Sequence, residues 1–194
     1  MTPATSKSQV VHTSKSLLSE TILEKPPMAT FTAIDFETAD YGGDSACAVA
    51  AVVVTEGQII YRYSQLIRPP RASFAFTHIH GITWDDVCES PTFAEMWPEL
   101  EALIESSDFL VAHNAPFDRG VLKKCCAAYG IAVPDKRFGC TVKAARRAWK
   151  HLPSHKLNIV SAYLNIPLQH HDALSDAEAC ARIAIEAMRL GVEV

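Results

Sequence analysis

The run CAVAAVVVT, residues 47–55, holds nine residues of which only the last is polar. It is rich in β-branched valine and too short for a fully buried helix, so it reads as a strand covered on both faces. A strand of that kind sits in the middle of a sheet with a layer above and below, which points to an α/β architecture. Thr30–Phe36 (TFTAIDF) supplies a second buried strand. Glu56-Gly57 makes a tight turn, and Gln58–Ile67 returns as an alternating third strand ended by Arg68-Pro-Pro. Around HGITWDDV the chain is expected to loop, with one helical turn. Ser90-Pro91 supplies an N-cap and a first helical residue for a helix to about Glu105. Phe109–Ala112 (FLVA) is a fourth strand, and Asn114-Ala-Pro116 opens a helix stopped by Gly130. Further helices are predicted over Thr141–Trp149, His155–Leu164 and Asp172 to about Leu190. The expectation is one domain over residues 29–194, an α/β fold with a mixed sheet flanked by helices. Residues 1–28, rich in Ser, Thr and Lys, read as a flexible tail with a short helix over 15–24.

A formal net charge of −4 argues against gripping a long duplex by overall electrostatics. Any nucleic-acid partner must be held by a local basic patch or through metal ions. The six cysteines include no Cys-x-x-Cys pair and several lie in apolar runs, which favours reduced, buried thiols and a cytoplasmic setting. No apolar run has the length of a membrane-spanning helix, so no membrane role is expected.

Three polar segments interrupt this pattern. Asp35 and Glu37 are two apart in a strand, so both leave the same face while Phe36 points into the core. Two acids at the end of a buried strand are costly unless something positive neutralises them, and hard Mg²⁺ or Mn²⁺ suits carboxylate oxygens. In AHNAPFDRGVL, residues 112–122, Asp118 falls in the first helical turn, where the helix dipole favours an anion. His113 and Asn114 emerge directly from the carboxyl end of a buried strand, a common place for ligand contacts in α/β folds. In HHDALSD, residues 170–176, His171 precedes a helix and Asp176 stands about one turn inside it. Taken singly, each has a structural explanation: solvated acids at a strand end, a helix cap, a loop histidine. Held together, in order, at the edges of predicted elements, they point to one site.

With those residues the chain resembles the DEDDh family of 3′–5′ exonucleases in the ribonuclease H-like superfamily, and most nearly the exonuclease part of bacterial DNA polymerase III and its stand-alone relatives. The likeness spans about residues 30–190 and includes SAC, IHGITWDDV, CTVKAARRAW and LPSHKLN. It implies a ribonuclease H-like fold and two divalent ions, Mg or Mn. Asp35, Glu37 and Asp176 would hold one ion; Asp35 would touch a second, held by Asp118 directly or through water. It implies His171 as the general base toward the attacking water, with His170 a bystander and Asp172 a helix cap. Thr38, Ile79 and His80 would meet the terminal nucleotide, with His113 and Asn114 lining the same cleft. Phe117 is either an apolar wall or ordinary packing.

The function that follows is removal of nucleoside 5′-monophosphates from the 3′ end of DNA, single-stranded or frayed. An exoribonuclease or oligoribonuclease of the same fold shares the whole catalytic set, and a non-catalytic nucleic-acid-binding adaptor is the reading from another class. The epsilon-type subunit attaches to its polymerase through an extra C-terminal segment. This chain ends a few residues past its last predicted helix, so a repair or trimming enzyme is expected rather than a polymerase-bound one. Lys143, Arg146, Arg147 and Lys150 recur at helical spacing and suggest a cationic stripe for a single strand's backbone. RPPR (Arg68, Arg71) and RGVLKK (Arg119, Lys123, Lys124) are further basic candidates.

Overall fold

The computed structural model describes residues 29–194; the predicted tail and its helix lie outside the described residues. Five strands form one mixed sheet in the order β3-β2-β1-β4-β5. They are β1 (Phe31–Thr38), β2 (Ala46–Thr55), β3 (Gln58–Leu66), β4 (Phe109–Ala112) and β5 (Phe138–Cys140). β2 pairs antiparallel with both β1 and β3, whereas β4 runs parallel to both β1 and β5. The valine-rich run occupies β2, buried on both faces as expected. Glu56 and Gly57 both take positive φ, the geometry that a two-residue hairpin between twisted strands requires.

Among the described residues there are seven helices: α1 (Thr77–His80), α2 (Trp84–Val87), α3 (Phe93–Glu105), α4 (Pro116–Ala128), α5 (Thr141–Ala148), α6 (Leu157–Tyr163) and α7 (Ala173–Arg189). One face of the sheet packs Phe31, Ala33, Ala50 and Val52 against α5, α6 and α7. The other packs Ile34, Phe36, Val49 and Ala51 against α3 and α4. Alternation along β1 thus sends Phe36 to one side and leaves Asp35 and Glu37 on the other, beneath α7. The contact is close because both partners are small. In β2, Ala50 and Ala48 stand opposite Asp35 and Glu37, and α7 presents Ala173, Ala177, Ala181 and Ala184.

Several elements depart from the sequence reading. β1 runs two residues further, to Thr38, and its pairing with β2 is irregular between Glu37 and Thr38. β5 was not expected; three residues with a central glycine carry no periodic signal, and parallel pairing to β4 creates it. α3 starts after Thr92 rather than Ser90, because Thr92 and Glu95 form a reciprocal capping box. Pro91 lies before the helix instead, its carbonyl accepting the Arg68 N–H. Around HGITWDDV there are two short helical turns, one ending at His80 and one from Trp84 to Val87, and Lys150 lies beyond the end of α5.

Candidate active site

The acids meet where the first strand passes under the last helix. Asp172 caps α7, its side chain accepting the Ser175 N–H at 2.8 Å, and this places Asp176 one turn inside, 4 % exposed. Oxygens of Asp35, Glu37 and Asp176 lie within 4.8 Å of one another. Ligand atoms of His170, His171 and Asp176 meet the same limit. Asp118 stands just behind. It is 1 % exposed, and its Oδ1 accepts the backbone N–H of Phe36, the residue between the two β1 acids, at 3.1 Å. It is outside the three-carboxylate group but close enough to act on Asp35.

The electrostatics are those of crowded buried anions. Asp35 is held well above the usual carboxylate range, by burial first and then by Asp118, Asp176 and Glu37. Burial, with Asp176 and Asp172 adding, pushes Glu37 up to about 7. Burial pushes Asp118 up to about 8, against the opposing hydrogen bond from Phe36. Asp176 is raised by burial, opposed by the His171 N–H and by His170. Four acids disfavoured as anions in one place call for positive charge. Asp176 supplies a second sign. Its Oδ2 accepts from His171, but its buried Oδ1 has no hydrogen-bond partner among the described residues. Buried carboxylate oxygens are rarely left unpaired, and hard oxygen donors in threes suit a divalent cation. The residues fit such an ion.

The two histidines differ. His170 Nδ1 lies 3.0 Å from Asp176 Oδ2, so this residue orients the acid and is more than a bystander. His171 adopts φ 69°, a left-handed backbone that aims its N–H at Asp176 and leaves its imidazole with no hydrogen bond to protein among the described residues. The rings stack at 3.9 Å. Burial and the neighbouring His170 lower the pKa of His171, while Asp176 raises it.

Around the acids lies a cleft of about 750 Å³, lined by all five expected substrate contacts, Thr38, Ile79, His80, His113 and Asn114. Two of these have their side-chain nitrogens engaged by protein. Ile82 N–H donates to His80 Nδ1 at 3.0 Å, so Nε2 carries the proton donated to the Thr38 carbonyl at 3.2 Å. His113 Nε2 donates to the His155 carbonyl at 3.1 Å, and Nδ1 accepts the Thr141 hydroxyl at 2.8 Å. Burial lowers the His113 pKa to about 4, keeping it neutral. Its ring ties the end of β4 to the loop before α6, and that loop contributes Ser154, His155 and Lys156 to the cleft. Those three, with Phe76, Val142 and Leu157, were given no role from sequence. LPSHKLN was the available signal, but it names no chemistry by itself. Phe117, 48 % exposed, forms part of the apolar wall. Trp97 and Trp149 are core residues.

The basic candidates separate. Arg71 binds Asp40 through Nε (2.6 Å) and Asp44 through Nη2 (2.9 Å), clamping the loop after β1; Arg68 pairs with Glu95. On α5, Arg146 lines the cleft, whereas Arg147 hydrogen-bonds the Glu193 carbonyl. No helix among the described residues is long and apolar enough to cross a membrane.

The exonuclease (RNase_T) family model matches residues 32–184. Among curated relatives, the chain is 32 % identical to the PolC-type DNA polymerase III of Clostridium perfringens over 157 residues. That match covers 79 % of this chain but 11 % of the relative. It is 34 % identical over 161 residues to the 3′-5′ exonuclease DinG of Bacillus subtilis, covering 80 % of this chain and 17 % of that protein. The chain thus spans a small fraction of the length of these relatives. Among solved structures, exonuclease X in complex with 5′ overhanging duplex DNA superposes with a TM-score of 0.65 at 29 % identity. That likeness covers 82 % of this chain and 92 % of the other.

Proposed function

This chain belongs to the RNase_T exonuclease family, and from that membership we propose that it removes nucleoside 5′-monophosphates stepwise from the 3′ end of DNA, single-stranded or frayed. The observation that carries the reading is the convergence of Asp35 and Glu37 from β1 with Asp176 from α7, over an unpartnered buried oxygen. Two divalent ions, Mg or Mn, held by these three acids and Asp118, would stabilise charge on the attacking and leaving oxygens of the phosphoryl displacement.

The chain's own groups do the rest. His171, free of protein partners at the cleft wall, takes the proton of the attacking water as its oxygen bonds to phosphorus and the bond to the 3′ oxygen of the departing strand breaks. An imidazole suits this role near neutral pH, and its lowered pKa keeps it unprotonated there. His170 holds Asp176, and Asp172 fixes the helix start that presents both. Thr38, Ile79, Phe76 and Phe117 offer an apolar-edged seat for the terminal nucleotide. His80 and His113 shape that seat by anchoring backbone. DNA is preferred over RNA as the substrate because the relatives' names point to DNA polymerisation and a DNA-bound exonuclease.

Incubating purified protein with 5′-labelled single-stranded DNA or RNA and Mg²⁺ or Mn²⁺ tests this directly. The DNA is expected to shorten from its 3′ end, and Asp35→Ala to abolish shortening. Unchanged cutting by Asp35→Ala would refute the site; preferential cutting of RNA would reassign the substrate.

A further inference from the structure

The cations of this protein are not evenly used. Between residues 119 and 156 the sequence carries ten lysines and arginines against the single Asp135, in a chain of net charge −4. Outside that segment, every described arginine is ion-paired: Arg62 and Arg182 with Glu178, Arg68 with Glu95, Arg71 with Asp40 and Asp44, Arg189 with Glu186. Inside it, Lys136 and Arg137 are paired, but Arg119, Lys123, Lys143, Arg146 and Lys156 are exposed and have no ion-pair partner among the described residues. Like charges held together without counter-charge repel one another and disfavour folding, so their clustering needs another reason.

The fold gives these groups a shape. A groove of about 390 Å³ lies between α4 and α5, with Arg119 and Lys123 on one side, Lys143 on the other, and Phe138 and Cys140 between. The catalytic cleft is its neighbour. Asn114 and Phe117 line the cleft while Ala115 and Pro116 line the groove; Val142 and Arg146 line the cleft while Lys143 lines the groove. One turn of each helix therefore divides the two. Lys143 and Arg146 stand three residues apart on α5, close enough to serve one continuous chain of phosphates. Exposed Phe117 at the divide offers a stacking face.

We propose that the α4–α5 groove is a second nucleic-acid subsite. It holds the phosphate backbone of the single strand on the 5′ side of the nucleotide being removed, with Arg146 passing the strand from cleft to groove. The role rests on the exonuclease reading for the strand's direction, but not for its binding. It replaces the four-residue stripe on α5 with a surface built from two helices. Arg147 turns to the chain's C-terminal end and Lys150 lies beyond the helix.

The test uses the full chain and its triple variant Arg119→Glu/Lys123→Glu/Lys143→Glu, with the corresponding triple alanine variant as a milder second form. Each is assayed on a thymidine dinucleotide and on an oligothymidylate of roughly 20 nucleotides. In parallel, binding of the fluorescein-labelled oligonucleotide is followed by anisotropy in chelator across a salt series. On the dinucleotide, kcat/KM should stay within about twofold, while KM for the long strand rises about tenfold or more with kcat little changed. The salt slope of binding should fall by about 2, since each phosphate contact on a single strand contributes roughly 0.7. Equal loss on both substrates, or no loss on either with an unchanged salt slope, would overturn the groove. Wild-type protein that binds the oligonucleotide through these residues yet cuts neither substrate would keep the groove and refute the exonuclease.

Discussion

At the scale of single residues, neighbouring side chains of one type have been given different work. His170 and His171 are adjacent and stacked, yet one ring holds Asp176 and the other is free. Replacing His171 by alanine is expected to lower kcat by about 10²–10⁴-fold, the usual span for a general base, with metal affinity kept. His170→Ala should instead weaken Mn²⁺ binding, read by calorimetry, with a smaller effect on kcat at saturating metal; the reverse pattern would exchange their roles. Asp118 differs from the other acids in having a structural bond as well, to Phe36. Asp118→Asn keeps that acceptor while removing a carboxyl whose ionisation burial opposes, so it should abolish cleavage yet raise the melting temperature of chelated protein at pH 8. The four acids and His171 were legible in the sequence because their spacing set them on predicted element ends. The anchoring roles of His80 and His113 were not, since both depend on carbonyls and hydroxyls that only folding brings near.

At the scale of elements, α7 decides the site through its alanines. It lies directly on β1 and β2, and the closeness of Asp176 to Asp35 follows from Ala177 and Ala50 having no bulk to hold the layers apart. Ala177→Leu should overpack this contact, costing about 1–3 kcal/mol by denaturant unfolding. Its greater effect is expected on Mn²⁺ affinity, because any shift of the helix separates the acids. The loop after β1 offers a contrasting case. A Cβ on Gly42 would collide with Arg71 Nη2, so Gly42→Ala should break the clamp on Asp40 and Asp44. Thermal stability is expected to drop modestly, and KM for short substrates to rise, since Ala39 and Asp40 follow Thr38 at the cleft. Strands and long helices were legible from apolar periodicity and caps. β5 was invisible because its only cause is the parallel partner beside it, and Ser90-Pro91 misled because a better capping box followed two residues later.

For the whole molecule, opposite sets of acids act at the two ends of the pH scale. Asp40 is lowered to about 2 by hydrogen bonds from Arg71, and Glu178 to about 2 by those from Arg62 and then Arg182. These lowered values add stability above about pH 4 that is lost as pH falls toward 2. Glu37 and Asp118 are raised, to about 7 and about 8. Their contribution is full below about pH 4 and lost as pH rises through those values. Chelated protein should therefore be most stable in mild acid and lose about 5 °C or more in melting temperature between pH 5 and 8. Mg²⁺ or Mn²⁺ should restore that loss at pH 8, because it binds the folded state alone. A melting temperature that rises from pH 5 to 8 in chelator would contradict the crowded-anion picture. The fold class was readable from the valine-rich strand and the order of elements. The groove was not, because its two sides come from separate helices and neither carries a motif.

Asp35 and Glu37 belong to the first strand and Asp176 to the last helix, so nearly the entire described chain separates the members of one carboxylate cluster. A polypeptide still emerging from the ribosome therefore cannot bring these three carboxylates together until synthesis has passed residue 176. The order of the elements leaves the acidic cluster incomplete until almost all of the described residues have been made.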